Sequence, residues 1–171
     1  MLPPSLRRAK GLVLTGKYYV KVDSNGRVTI PARLREHLGE RFVLAMGLDG
    51  CLWAYSKEQW EREILRPLQG ISPFDRDQAR VFRAISAWSQ EVEMDKQARV
   101  VLPEPLREQA KIGEEVVFVG VLTRVEIWAR ENWEREEVFL QSEETRTLVR
   151  QTLERFRRLP SSEAQEAGGE G

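Results

Sequence analysis

VKVDSNGRVTIPARLRE, residues 20–36, aligns without a gap to VEMDKQARVVLPEPLRE, residues 92–108. The matching pairs are Val20/Val92, Asp23/Asp95, Arg27/Arg99, Val28/Val100, Pro31/Pro103, Leu34/Leu106, Arg35/Arg107 and Glu36/Glu108, each 72 positions apart. After one residue of slippage the likeness resumes at a spacing of 73, pairing Gly47 with Gly120, Tyr55 with Trp128 and Trp60 with Trp133. A fixed period held over separate stretches marks a tandem duplication, so the chain is two copies of one small unit.

Within each copy, apolar periodicity separates strands from helices. Lys17 to Val22 is rich in β-formers, Asp23-Ser24-Asn25-Gly26 is a turn cluster, and Arg27 to Ile30 is a second strand ended by Pro31, which together predict a β-hairpin. Pro31 opens a short helix, Ala32 to Leu38, that Gly39 stops. Phe42 to Met46 and Cys51 to Tyr55 read as two further strands joined across Asp49-Gly50, a strong hairpin signal. Ser56 then caps a helix, with Gln59 at capping-box spacing. The second copy predicts strands at Glu91 to Met94, Val100 to Leu102, Val116 to Val119 and Val125 to Trp128, with a helix from Pro103.

A four-stranded unit of about 45 residues buries too little surface to stand alone without metal, disulfide or association. The single cysteine, Cys51, cannot form an internal disulfide, and with the single histidine, His37, it cannot build a soft-ligand metal site. Cys51 reads as a small buried side chain in a strand and His37 as a helix-end residue. The two copies are therefore expected to pack on each other, on another chain, or both. Between them, Ser72-Pro73-Phe74-Asp75 has the character of a helix start, leading into a linker helix with Val81, Phe82, Ile85 and Trp88 on one face. Trp60, Trp88, Trp128 and Trp133 fall at apolar positions and read as core, with base-stacking platforms as the alternative. From Asn132 to Leu159 the chain reads as charged helix, and the last residues, PSSEAQEAGGEG, have a disordered composition.

The expected organisation is an N-terminal extension over 1–16, a first repeat over 17–62, a linker-helix region over 63–88, a second repeat over 89–134, a C-terminal helix over 135–159 and a disordered tail over 160–171. Of the 171 residues, 41% are hydrophobic, enough for a core, and 32% are charged, with no apolar run of membrane-spanning length. Nor does the N-terminus have the apolar run of a signal peptide, which predicts a cytoplasmic protein without membrane contact.

The formal net charge of zero conceals a gradient, because residues 1–41 hold nine Lys or Arg against three acids. A basic end suits phosphate contact at one face, although a solvated terminus without a partner has the same charge pattern. No P-loop, G-x-S-x-G, H-E-x-x-H or paired-cysteine pattern occurs, so neither catalysis nor a small-molecule substrate, cofactor or metal is expected. The duplicated chemical element is D-x-x-x-R, as Asp23 to Arg27 and Asp95 to Arg99. An acid and a guanidinium across a turn form an ion pair that sets loop shape. That accounts for Asp23 and Asp95 better than for the company Arg27 keeps with Lys21, Arg33 and Arg35. A β ribbon can enter the major groove, where arginine donates two hydrogen bonds to guanine O6 and N7, so Arg27 is a candidate base reader.

The sequence resembles the MraZ family, bacterial transcriptional regulators built from two tandem AbrB-type units with swapped hairpins. The resemblance rests on the doubled D-x-x-x-R, on GRVTIPARLRE at 26–36 and RVVLPEPLRE at 99–108, on SPFDRDQARVF in the linker, and on E-I-W-x-x-x-x-W at 126–133. It implies an α+β fold of two AbrB-like swapped-hairpin β units with short helices, a linker helix and a C-terminal helix. It also implies a ring-shaped homo-oligomer that binds short G-rich direct repeats in double-stranded promoter DNA. The family mostly represses its own operon in the division and cell wall cluster, which would make this chain nucleoid-associated. Arg27 and Arg99 take the places of the family's motif arginines, and Asp23 and Asp95 those of its aspartates. Gly26 is the turn glycine, and Lys21, Arg33 and Arg35 are the expected phosphate contacts.

Three features depart from the pattern. Ala98 stands where the motif has glycine, which predicts a strained or altered second turn. The second copy is net acidic over the aligned stretch where the first is net basic, so the first is expected to contact DNA and the second mainly to build the assembly. Arg7, Arg8 and Lys10 form an added basic stretch, readable as a leader or as a phosphate-contacting arm. The rival function is an AbrB-like oligomerisation or protein-interaction module without specific DNA readout.

Overall fold

The computed structural model of the protein describes residues 14–158. They divide into a sheet unit ending at Asn132 and a helical unit beginning at Trp133. In chain order the sheet unit runs β1 (Lys17–Lys21), β2 (Arg27–Thr29), α1 (Ala32–Leu38), β3 (Arg41–Met46) and β4 (Leu52–Ser56). Then come α2 (Lys57–Trp60), a π-helical turn (Glu61–Leu65), α3 (Arg66–Leu68) and the linker helix α4 (Arg76–Ala87). The second copy supplies β5 (Ser89–Glu93), β6 (Arg99–Val101), α5 (Glu104–Gln109), β7 (Glu115–Val121) and β8 (Arg124–Ala129). Two helices follow, α6 (Arg130–Leu140) and α7 (Glu143–Arg158).

The strands form one six-stranded antiparallel sheet in the order β1-β7-β8-β4-β3-β5, and a separate two-stranded ribbon, β2-β6. This is a swapped arrangement. β1 of the first copy pairs with β7 of the second, from Lys17 opposite Val119 to Lys21 opposite Glu115. β5 of the second pairs with β3 of the first, from Arg41 opposite Glu93 to Ala45 opposite Ser89. The hairpin expected from Lys17 to Ile30 is thus half realised: its turn forms, but β1 and β2 leave it for different sheets. The cause is burial. Val28, Ile30, Leu34, Phe42 and Leu44 of one copy and Val100, Leu102, Leu106, Val116 and Phe118 of the other fill one shared core. Neither copy has that core alone, and interlocking supplies it without metal or disulfide.

The boundaries carry three further corrections. Leu14 is buried and bridges Leu122, its N–H donating to the Leu122 carbonyl at 3.2 Å, so the expected extension already belongs to the sheet by residue 14. A Cβ on Gly120 would lie 2.6 Å from the Thr15 nitrogen, and the close approach of this segment therefore requires glycine. The linker helix is capped by Asp75, whose carboxylate accepts from the N–H groups of Asp77 and Gln78 at 3.0 and 2.9 Å, and Ser72 lies outside it. Trp88 falls just past the helix rather than on its face, and α4 has no buried residue.

The expected single C-terminal helix is two helices. Between them Ser142 Oγ accepts from the Thr145 N–H at 3.2 Å, and the Thr145 hydroxyl donates to the Phe139 carbonyl at 2.9 Å, so the chain caps a new helix there. The predicted tail, and the basic residues Arg7, Arg8 and Lys10, lie outside the described residues. Trp128 and Trp133 are buried, whereas Trp60 and Trp88 are half-buried. The Trp128 indole donates to Glu126 at 3.0 Å, and Glu126 in turn holds Arg124 over the Trp53 ring, 4.5 Å from its centroid.

Candidate nucleic-acid interface

Each D-x-x-x-R segment closes its turn with the same set of bonds. In the first copy, Asp23 Oδ1 accepts from the Asn25 and Arg27 N–H groups at 2.8 and 2.9 Å, and Asp23 Oδ2 accepts from Arg27 Nε at 2.8 Å. In the second, Asp95 Oδ1 accepts from the Gln97 and Arg99 N–H groups, both at 2.9 Å, and Asp95 Oδ2 accepts from Arg99 Nε at 2.9 Å. The backbone adds reciprocal bonds: Asp23 N–H donates to the Arg27 carbonyl at 2.9 Å and Asp95 N–H to that of Arg99 at 2.8 Å. Donation from Arg27, first through its backbone N–H and then its guanidinium, holds the Asp23 carboxyl below its usual range. Asp95 is lowered in the same way, chiefly by the backbone N–H of Arg99.

The ribbon joins the two turns. Arg27 lies opposite Val101, Val28 opposite Val100, and Thr29 opposite Arg99. Val28 and Val100 point into the core, so alternation turns Arg27, Thr29, Arg99 and Val101 outward together. Arg27 and Arg99 are diagonal neighbours across the ribbon, about 7–8 Å apart at the backbone. Bonds across the pair lock the register, with Leu102 N–H donating to the Gly26 carbonyl and Ile30 N–H to the Ala98 carbonyl, both at 2.9 Å. The ribbon takes one strand from each copy, so a surface meeting Arg27 also meets Arg99. Both copies therefore contribute an arginine to the one outer face.

Each guanidinium has five N–H donors, and its aspartate engages the Nε edge, with Arg99 Nη2 also 2.8 Å from Asp95 Oδ2. The side chains are 31% exposed, leaving outward-facing N–H groups whose direction the carboxylate fixes. Such preset donors suit the O6 and N7 acceptors of guanine. The paired aspartates offset much of the guanidinium charge on this face.

Of the five cationic candidates, the ribbon contains only Arg27 and Arg99. Lys21 is exposed on β1, opposite Glu115, whose carboxylate is paired with Arg130. Arg33 is exposed on α1. Arg35 is half-buried and donates Nε–H to the Ile30 carbonyl at 2.7 Å, which pins the end of β2 to α1. Gly26 is buried with φ +73°, and a Cβ there would lie 2.6 Å from Arg107 Nη1. Ala98 holds the same left-handed conformation at φ 58°, so the second turn keeps its type and bears the strain.

Sequence reasoning passed over Arg107, apart from its charge. Its guanidinium abuts Gly26 in a recess with Lys21, Asp23 and Ser24, and its place as the repeat counterpart of Arg35 was the available signal. His37 lies in the last turn of α1. Cys51 is fully buried, and burial pushes its thiol far up, which makes it unreactive. Among the described residues there is no cluster of three or more His, Cys, Asp or Glu side chains able to hold a metal ion, and no helix long and apolar enough to cross a membrane.

The profile of the family described as "MraZ protein, putative antitoxin-like" matches residues 13–83 and again 87–156, one match for each copy. The chain belongs to the MraZ family. It is 50% identical over 123 residues to the transcriptional regulator MraZ of Caldanaerobacter subterraneus subsp. tengcongensis, covering 71% of this chain and 85% of that protein. The MraZ regulator of Caldicellulosiruptor saccharolyticus is 46% identical over 127 residues, covering 72% and 86%. That of Heliobacterium modesticaldum is 48% identical over 123 residues, covering 70% and 83%. The MraZ family is one of transcriptional regulators rather than of enzymes, and the two matches coincide with the two interlocked copies of the fold.

Proposed function

We propose that this chain is a sequence-specific DNA-binding transcriptional regulator, acting as a homo-oligomeric ring on direct repeats in its own promoter and repressing a division and cell wall operon. The observation that carries the reading is the pair of aspartate-buttressed arginines, Arg27 and Arg99, on one face of a two-stranded ribbon. In this role the two arginines donate to guanine edges in the major groove, while Lys21 and Arg33 on neighbouring elements hold phosphates. Arg35 contributes mainly by fixing where β2 ends. The protein works in the cytoplasm, on the nucleoid.

Assembly is supported by apolar surface that one chain leaves uncovered. Val81 of α4 is exposed, as are Leu148, Val149, Leu153 and Phe156, which recur at helical spacing along α7. One ribbon neutralises few phosphates, and identical ribbons on one oligomer raise the effective concentration at successive boxes. The same surface fits the rival reading, an interaction module without base readout, so the test has to separate the two. Fluorescence anisotropy against DNA from upstream of the chain's own gene and a scrambled control, over a salt series, does so. The expected result is selective, salt-sensitive binding that Arg27→Ala removes while the assembly stays intact by size-exclusion chromatography. Equal, weak binding to both duplexes would favour the interaction module, and disassembly of the variant would make Arg27 structural.

A further inference from the structure

A half-turn about the Val28–Val100 pair exchanges Arg27 with Arg99 and Thr29 with Val101. Two arginines alone would therefore accept a duplex in either direction. The ribbon's outer face breaks this equivalence at one place, where Thr29 lies opposite Arg99 and Val101 lies opposite Arg27. Val101 is 53% exposed, a branched hydrocarbon on a face otherwise made of guanidinium, carboxylate and hydroxyl groups. The major groove offers one apolar group to such a side chain, the C5-methyl of thymine. Directly opposed strand residues have Cβ atoms about 4.5–5.5 Å apart, comparable with the roughly 3.4 Å rise between bases. Val101 and Arg27 can thus address neighbouring bases at once. Thr29 presents a hydroxyl in place of one methyl, and covering that hydroxyl with a thymine methyl would desolvate it without a partner.

We propose that Val101 is a specificity-determining residue: resting on the regulator reading above, its side chain packs on the C5-methyl of a thymine beside the guanine taken by Arg27, and this contact favours one direction of the ribbon along DNA.

The test is anisotropy competition with DNA from upstream of the chain's own gene, in which each thymine position of the box is replaced in turn by deoxyuridine, in every copy of the box. One position should cost the wild type about fourfold in affinity for each box engaged, the worth of one buried methyl. The same replacement should cost Val101→Ser nothing and Val101→Ile about as much as wild type, with thermal melting showing that both variants remain folded. If no deoxyuridine position affects the wild type, or if the penalty persists in Val101→Ser, the role of Val101 is overturned while selective binding leaves the regulator reading standing. If the wild type does not prefer its own promoter over scrambled DNA, both fall together.

Discussion

The two D-x-x-x-R turns differ in three of their five residues yet close with the same hydrogen bonds, to within about 0.1 Å. The first places Gly26 at the left-handed position with φ +73°, and the second places Ala98 there with φ 58°. What fixes the turn is therefore the aspartate carboxylate, which accepts two backbone N–H groups and the arginine Nε. The residue at the left-handed position sets only the strain that the turn carries. The copies also differ in charge, yet they contribute one arginine each to a single face. The difference in local charge therefore lies within one composite face rather than between two separate ones.

The largest expected effect divides that shared face. Arg27→Ala and Arg99→Ala should each weaken specific DNA binding by about 1–3 kcal/mol per box, the worth of a bidentate guanine contact, when measured by anisotropy. A silent Arg99→Ala beside a damaging Arg27→Ala would show that the copies act unequally despite their common face. Next comes Gly26→Ala, which places a Cβ 2.6 Å from Arg107 Nη1 in a left-handed residue. A destabilisation of about 1 kcal/mol is expected, mainly from left-handed strain because the Arg107 guanidinium can swing aside, read from denaturant unfolding.

The reverse change, Ala98→Gly, should stabilise the protein by about 1 kcal/mol, as relief of left-handed strain outweighs the added freedom of the unfolded chain. A loss of stability would mean that the Ala98 methyl makes packing contacts worth more than the strain. The smallest effect concerns the aspartates. Both carboxyls are held below their usual value of 3.8, so their contribution is complete above that pH and is lost as pH falls through the lowered folded-state values. Asp23→Asn with Asp95→Asn should accordingly melt slightly below wild type at neutral pH and converge with it in acid. A gap that does not narrow at all as the pH falls below 3.8 would place the effect in something other than the carboxylate charge.

How far the sequence could be read is visible at particular residues. Gly39 ends α1 and Asp49-Gly50 turns β3 into β4 as their local chemistry requires. Ser72 and Asp75 are both good caps, and only the bonds to Asp77 and Gln78 select Asp75. Ser142 was the signal for the break between α6 and α7, but a serine within a charged helical run reads equally well as an exposed helix position. At the site, the Asp–Arg pairs were legible because their spacing is four residues and their bonds are local. The outward company of Val101 and Thr29 was not, since it depends on which strand lies opposite.

The sequence by itself determined the duplication, the chemistry of both turns, the elements of each copy and the family to which the chain belongs. Those are properties of residues near one another along the chain, where turn preferences, capping and periodicity act. Only the tertiary structure decided that β1 pairs with β7, β5 with β3 and β2 with β6, and hence that Arg27 and Arg99 share one face while Lys21 sits opposite Glu115 on another sheet. The physical reason is that a short strand offers the same backbone groups and the same alternating apolar face to a partner in its own copy as to one in the other. The choice falls to the arrangement that buries Val28, Ile30, Val100 and Leu102 in one core, and that burial is a property of the whole sheet unit.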